Sequence, residues 1–269
     1  MPDGAFLSRQ ASRQVQVEAK VTSPGHEKES KLAELVELSR WLGEPERDCV
    51  ILGEGNTSAL LSGDTFLVKA SGAQMGAIDK HGFVEVRHSG ILEMLEDRSL
   101  QGNPTRERLA GAKVDPNQPG MPSVETPLHA VCLGLPGVRY IGHSHPTAIN
   151  AITCAEDFDQ VLSCQLFADQ VVACGPRSLR VPFAEPGVEL GRQTQLALKT
   201  YLDEWGEPPQ TIYLRNHGFV ALGSSPQQVK ALTQMAIKAA RIIAGTHCFG
   251  GPHAMAGIDK DDIHVPSGG

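Results

Sequence analysis

Nowhere does the chain contain a CxxC pair; its six cysteines, Cys49, Cys132, Cys154, Cys164, Cys174 and Cys248, are scattered through apolar segments. That excludes a cysteine-based zinc site and argues against a disulfide framework, so reduced core or near-core thiols of a cytoplasmic protein are expected. Basic runs are also missing. With 24 Lys and Arg against 31 Asp and Glu the formal charge is -7, and no nucleic-acid partner is expected. No apolar stretch is long enough to span a bilayer, and Met1 to Leu7 lack the charged and long apolar parts of a secretion signal. Neither export nor a membrane partner is therefore expected. No GxGxxG follows any apparent strand, which removes the usual dinucleotide cradle, and nicotinamide chemistry is not expected. Tyrosine is scarce: Tyr140, Tyr201 and Tyr213 are the whole set.

What remains is an ordinary globular composition, 41% hydrophobic and 20% charged, with enough chain to bury a substantial core. Residues 1–26 are polar without a period and read as a flexible arm; 27–248 read as one domain and 249–269 as a Gly-, Pro- and His-rich tail. Leu32, Leu35, Val36 and Leu42 fall at helical spacing before Gly43, so ordered structure is expected to begin near Lys31. Ser58 to Val68 read as a hairpin turning at Gly63-Asp64, and Gly82 to Val86 as another strand. A short helix is expected at Ile91 to Leu95, and one opened by Pro122-Ser123-Val124-Glu125. Gly137 to Ile141 reads as a strand, with a helix started by Pro146. Gln170 to Ala173 and Leu179 to Val181 look extended. A helix over Val188 to Trp205 would bury Leu190, Leu196, Ala197 and Tyr201. A second hairpin, Thr211 to Leu222, closes at Asn216-His217-Gly218 before a last helix from Pro226 to about Ile243. No repeat and no linker interrupts this order, which points to one α/β domain with a largely antiparallel sheet.

The chemistry concentrates in Gly142-His143-Ser144-His145-Pro146. Histidines at i and i+2 of an extended segment face the same side, and imidazole is the commonest metal-binding side chain near neutral pH. His217, in the turn of the second hairpin, is a third candidate ligand. A purely structural polar strand end is the competing reading. Glu125 reads by itself as a helix-start acid, its charge favoured by the helix dipole.

In order along the chain, Gly55-Asn56-Thr57-Ser58, Lys69-Ala70-Ser71-Gly72, Pro122-Ser123-Val124-Glu125, His143-Ser144-His145-Pro146 and Asn216-His217-Gly218 resemble the class II aldolase/adducin family over roughly residues 30–245. Pro182 to Gly187 and Phe249 to Pro252 are most similar to the aldolase-like half of fused aldolase/short-chain dehydrogenase proteins. The resemblance implies a three-layer α/β fold, a central largely antiparallel sheet flanked by helices. It implies a catalytic Zn2+ on His143, His145 and His217, with an open position for substrate. Glu125 becomes the general acid/base, and Asn56, Ser71, Gly72 and Ser123 match positions that bind phosphate. The implied activity is retro-aldol cleavage of a sugar or sugar phosphate through a zinc-stabilised enediolate, in carbohydrate metabolism. Epimerisation, decarboxylation or dehydration at the same site are the alternatives, as is a non-catalytic module of the adducin kind. A homo-oligomer, commonly a tetramer, is implied too.

Two departures bear on the substrate. Ser123-Val124 stands where many sugar-phosphate aldolases have two serines. Phe167-Ala168-Asp169 stands where a tyrosine would handle the aldehyde-side proton, and the tail offers His253 and His264 instead. Among other polar residues, His129 reads as a packing or supporting histidine. His81 and His88 read as solvated, His247, Cys248 and His253 as a loose cluster without ordered spacing, and Thr105 to Arg108 as an exposed helix face.

Overall fold

A computed structural model of the chain describes residues 24–100, 106–163 and 165–255. Seven strands form one sheet: β1 (Asn56–Leu60), β2 (Thr65–Lys69), β3 (Phe83–Arg87), β4 (Tyr140–Ser144), β5 (Leu179–Val181), β6 (Thr211–Leu214) and β7 (Gly218–Gly223). Their spatial order is β3-β2-β1-β4-β7-β6-β5. Every pairing is antiparallel except β5 with β6. The strands read as near-continuous apolar runs because both faces are covered.

One face presents Phe66, Val68, Val84, Ile141 and Val220 to α2 (His88–Glu96), α4 (Thr126–Leu133) and α8 (Val188–Trp205), with α3 (Arg106–Gly111) at its margin. The other presents Leu67, Phe83, Tyr140, Phe219 and Ala221 to α1 (Pro24–Leu42), α5 (Thr147–Thr153), α6 (Phe158–Leu162), α7 (Ala168–Cys174) and α9 (Pro226–Thr246). Each fully buried Leu or Phe in these layers contributes about 1.5–3 kcal/mol. The last helix starts where its sequence says: Ser225 caps it by accepting from the Gln228 N–H at 3.2 Å, followed by Pro226. Among the described residues, no helix is long and apolar enough to cross a membrane.

Several expectations need correction. Gln170 to Ala173 is helical, not extended: Val171 and Cys174, three apart, are the buried residues of α7. The β-branched pair Val171-Val172 suggested a strand, but only one of the two is buried, and helical spacing wins. Pro122 to Glu125 do not open a helix; α4 begins at Thr126 and Glu125 is its N-cap. Leu196 is 62% exposed and Leu198 takes its place in the core. His88 is not solvated, since its Nε2 donates to the Ala130 carbonyl at 2.6 Å and its ring stands edge-on to Phe66. Cys154 and Cys248 are exposed free thiols, whereas Cys49, Cys132 and Cys174 are buried; Cys164 lies outside the described residues. Helix α1 already starts at Pro24, seven residues before Lys31. Residues 1–23 of the expected arm and 256–269 of the tail, His264 included, lie outside the described residues.

Candidate active site

Strand register assembles the site. Asn56 of β1 lies directly opposite His143 of β4, so both side chains stand on the same face of the sheet. That face is the one covered by α4, and Glu125 at its N-cap projects toward them. His145 follows β4 by one residue, and its backbone N–H donates to the Cys49 carbonyl at 2.7 Å. His217 arrives from the β6–β7 turn, where Asn216 supplies the left-handed residue (φ 52°). Gly218 follows because nothing larger fits: a Cβ there would lie 2.7 Å from the His145 ring and 2.8 Å from the Ser144 carbonyl.

The three imidazoles stack edge-to-face with centroids 4.7 to 5.1 Å apart, and one ring nitrogen of each lies within 4.8 Å of the others. Glu125 reaches the group with one oxygen 3.3 Å from His143 Nε2 and the other 2.9 Å from His217 Nε2. Whether a cation suits the cluster follows from one hydrogen bond. A carbonyl only accepts, so His143 Nδ1, 3.0 Å from the Phe219 oxygen, carries the ring's proton when the ring is neutral. The Nε2 lone pair then faces His145 Nε2 at 3.0 Å and the Glu125 carboxylate. Lone pairs and a carboxylate converging on one buried point require a positive charge between them, a proton or a metal ion. The donor set of three imidazoles and a carboxylate fits a divalent ion of the zinc type.

Electrostatics agree with this reading. Burial opposes ionisation of Glu125, but the His143 and His217 rings hold its carboxyl well below the usual carboxylate range. Burial likewise opposes a charge on His143, and the Glu125 carboxylate outweighs it and raises the ring. His145 is pushed down to about 3 by burial and by the positive neighbours His143 and His217. It presents a neutral imidazole, the form that binds metals.

Behind Glu125 the polar groups form a closed relay. Asn56 Nδ2 donates to Glu125 Oε2 at 2.7 Å and to Ser123 Oγ at 3.1 Å. Its Oδ1 accepts from His129 Nε2, and His129 Nδ1 accepts from the Ser58 hydroxyl at 2.6 Å. Burial pushes His129 down to about 3, helped by His143, which keeps this tautomer neutral. His129 is thus a supporting residue, two bonds removed from Glu125. Asn56 and Ser123, expected to hold phosphate, have their side chains turned onto the Glu125 carboxylate and backbone.

A pocket of about 250 Å³ opens over this floor, lined by Asn56, Ser123, Glu125, His145 and His217 and, nearer solvent, by Ser71 and Gly72. It thus brings together seven of the eight expected site residues, with His143 buried directly beneath. Two further lining residues escaped the sequence reading. Lys69, 2% exposed, donates to the carbonyls of Ala73 at 2.6 Å and Gly53 at 3.3 Å, tying the two glycine loops together. Burial lowers its ammonium to about 8, against the pull of Glu125. Glu54 lies beside His145. A lysine ending an apolar strand and a glutamate between two glycines were the available signals.

A family model described as Class II Aldolase and Adducin N-terminal domain matches residues 33–244. The chain belongs to this family. The uncharacterized oxidoreductase YuxG of Bacillus subtilis (strain 168) is 28% identical over 200 residues, which is 67% of this chain and 27% of that protein. The chain thus spans about a quarter of that relative's length. The N-terminal class II aldolase domain of a conserved protein from Thermoplasma acidophilum superposes with TM-score 0.63 at 25% identity, covering 89% of this chain and all (100%) of that one. YgbL from Escherichia coli, titled a putative aldolase/epimerase/decarboxylase, gives TM-score 0.61 at 20% identity over 81% of this chain and 90% of its own. The seven-stranded sheet with helices on both faces is therefore the class II aldolase fold, and the histidine-glutamate cluster sits within the matched residues.

Proposed function

We propose that the protein is a zinc-dependent aldolase-like lyase that cleaves a sugar or sugar phosphate by a retro-aldol reaction. The observation that carries this reading is the convergence of His143, His145 and His217 on the buried Glu125 carboxylate at the floor of an open pocket. His143, His145 and His217 would hold the ion. A zinc ion there supplies Lewis acidity, polarising a ketone or hydroxyl oxygen and stabilising charge on the neighbouring carbon.

The protein's own groups do the rest. Glu125 is ionised near neutrality and stands where it can take a proton from a substrate hydroxyl and return it to carbon. Asn56 keeps the carboxylate aimed by donating to one of its oxygens, and His129 fixes Asn56 in turn. Ser71 and Gly72, at the pocket mouth, are the expected residues left to meet a phosphate or hydroxyl of the substrate, as backbone and hydroxyl donors. The same reading expects a cytoplasmic homo-oligomer, a tetramer by resemblance, which light scattering would test.

One observation favours a second reading, in which the site epimerises, decarboxylates or dehydrates its substrate. No tyrosine lines the described pocket: Tyr140 and Tyr213 pack on the opposite face of the sheet, and Tyr201 lies on α8. A non-catalytic adducin-like role finds less support, since the histidines and Glu125 are all present. Metal analysis of the purified protein, with a screen of ketoses with and without phosphate for aldehyde release, tests the proposal. One zinc per chain with aldehyde formation is expected; full zinc occupancy in His145→Ala, or no aldehyde from any ketose, would overturn it.

A further inference from the structure

The three histidines differ in what their second nitrogen meets. His143 Nδ1 donates to the Phe219 carbonyl. Among the described residues, His217 Nδ1 is buried without a hydrogen-bond partner. His145 Nδ1 faces a carboxylate, Glu54 Oε1, at 3.9 Å. That distance is an ion-pair approach rather than a hydrogen bond.

The loop bearing Glu54 is built to hold it there. Glu54 closes its own turn twice, its N–H donating to the Ile51 carbonyl at 3.0 Å while its Oε2 accepts from the Ile51 N–H at 3.0 Å. With Oε2 so engaged, Oε1 is left for His145. The turn needs Leu52 in the left-handed region (φ 51°) and Gly55 at φ 64°, and the left-handed region is strained for a leucine. Leu52 is 78% exposed, so burial does not repay that strain. Lys69 grips the loop at the Gly53 carbonyl. Cys49 accepts from His145 N–H, and Asp48 accepts from Thr147 Oγ1 at 2.9 Å, so the segment wraps the strand end that carries His145.

We propose that Glu54 is the positioning residue of His145. Its negative charge, 3.9 Å from Nδ1, favours the tautomer that carries the proton there and leaves the Nε2 lone pair for the cluster, which makes this histidine the more strongly donating ligand. The inference rests on reading the cluster as a metal site. It gives Glu54 no contact with the substrate's reacting atoms.

Zinc affinity, measured on the full chain by chelator competition, tests it in wild type, Glu54→Ala, Glu54→Gln and His143→Ala. Loss of a supporting carboxylate is expected to weaken zinc about tenfold in Glu54→Ala, with partial recovery in Glu54→Gln, whose amide oxygen turns the negative end of its dipole toward the same proton. The Nδ1–H signal of His145 should persist in Glu54→Gln and weaken in Glu54→Ala in nitrogen-resolved NMR of the zinc-free protein. Wild-type affinity in Glu54→Ala would overturn the inference while leaving the metal site standing, provided His143→Ala loses zinc. A zinc-free melting temperature that drops in Glu54→Ala without any change in affinity or ring signal would mark Glu54 as a loop brace only, and overturn it as well. Absence of zinc binding in wild type would bring down the metal reading and this inference together.

Discussion

The pocket has two walls that are held in different ways. The inner wall is made of side chains bonded to side chains: Ser58 to His129, His129 to Asn56, Asn56 to Glu125, all buried between β1 and α4. The outer wall is made of loops held by backbone contacts: Lys69 grips the carbonyls of Gly53 and Ala73, and the loop that carries Glu54 is exposed at Ile51 and Leu52. A side-chain relay fixes the direction of one carboxylate, whatever the substrate. A loop wall tied through its carbonyls fixes only a shape, and its own side chains are free to differ. On the proposed reading, the first wall serves the chemistry and the second the selectivity.

The sharpest way to break this contrast is Glu125→Gln. Removing a positioned acid/base should reduce turnover by about 10²–10⁴-fold while zinc stays bound, as read by steady-state kinetics beside metal analysis; undiminished turnover would take Glu125 out of the reaction. Next in size is Gly218→Ala. The new methyl collides with the His145 ring and the Ser144 carbonyl, and overpacking of this kind should cost about 1–3 kcal/mol in denaturant unfolding and lower zinc occupancy.

Lys69→Met probes the outer wall. It strips donors from the part-buried contacts with the Gly53 and Ala73 carbonyls but also removes a poorly solvated charge, so a net loss of about 1–2 kcal/mol is expected. KM should rise more than kcat falls. If kcat instead collapses as in Glu125→Gln, the division between the walls is wrong.

The last test is one of pH. His129 is held neutral down to about 3 in the folded protein, whereas in the unfolded chain it titrates near 6.5. A depressed pKa means that the unfolded state binds more protons across that window, so stability is intact above pH 6.5 and falls as pH drops toward about 3. His129→Gln should flatten that slope by about one proton, seen by urea unfolding at several pH values. An unchanged slope would show that His129 is not the neutral link of the relay.

Much of the histidine cluster was legible in the sequence because it depends on period. Histidines two apart on an extended segment share a face, and Asn216-His217-Gly218 must turn, whatever surrounds them. From its own residues Glu125 was legible only as a carboxylate near a helix start; that its side chain leaves the helix end for the histidines, and that Asn56 and Ser123 serve it, depends on how α4 lies across β1. The Val171-Val172 pair misled because β-branching is a local preference, while the burial of Val171 and Cys174 against α9 is tertiary. Glu54 and Lys69 were illegible for the same reason. Their roles arise from where two loops, distant along the chain, come to rest.

The pairing of Asn56 with His143 has one more consequence. A slip of one residue between β1 and β4 would turn one partner toward the opposite layer and pull the relay away from the histidines. On the proposed metal reading, a molecule whose histidines hold an ion beside Glu125 has therefore already zipped its central strands correctly. Zinc uptake during refolding should then serve as a proofreading signal, arriving only after β1, β4 and β7 have locked together.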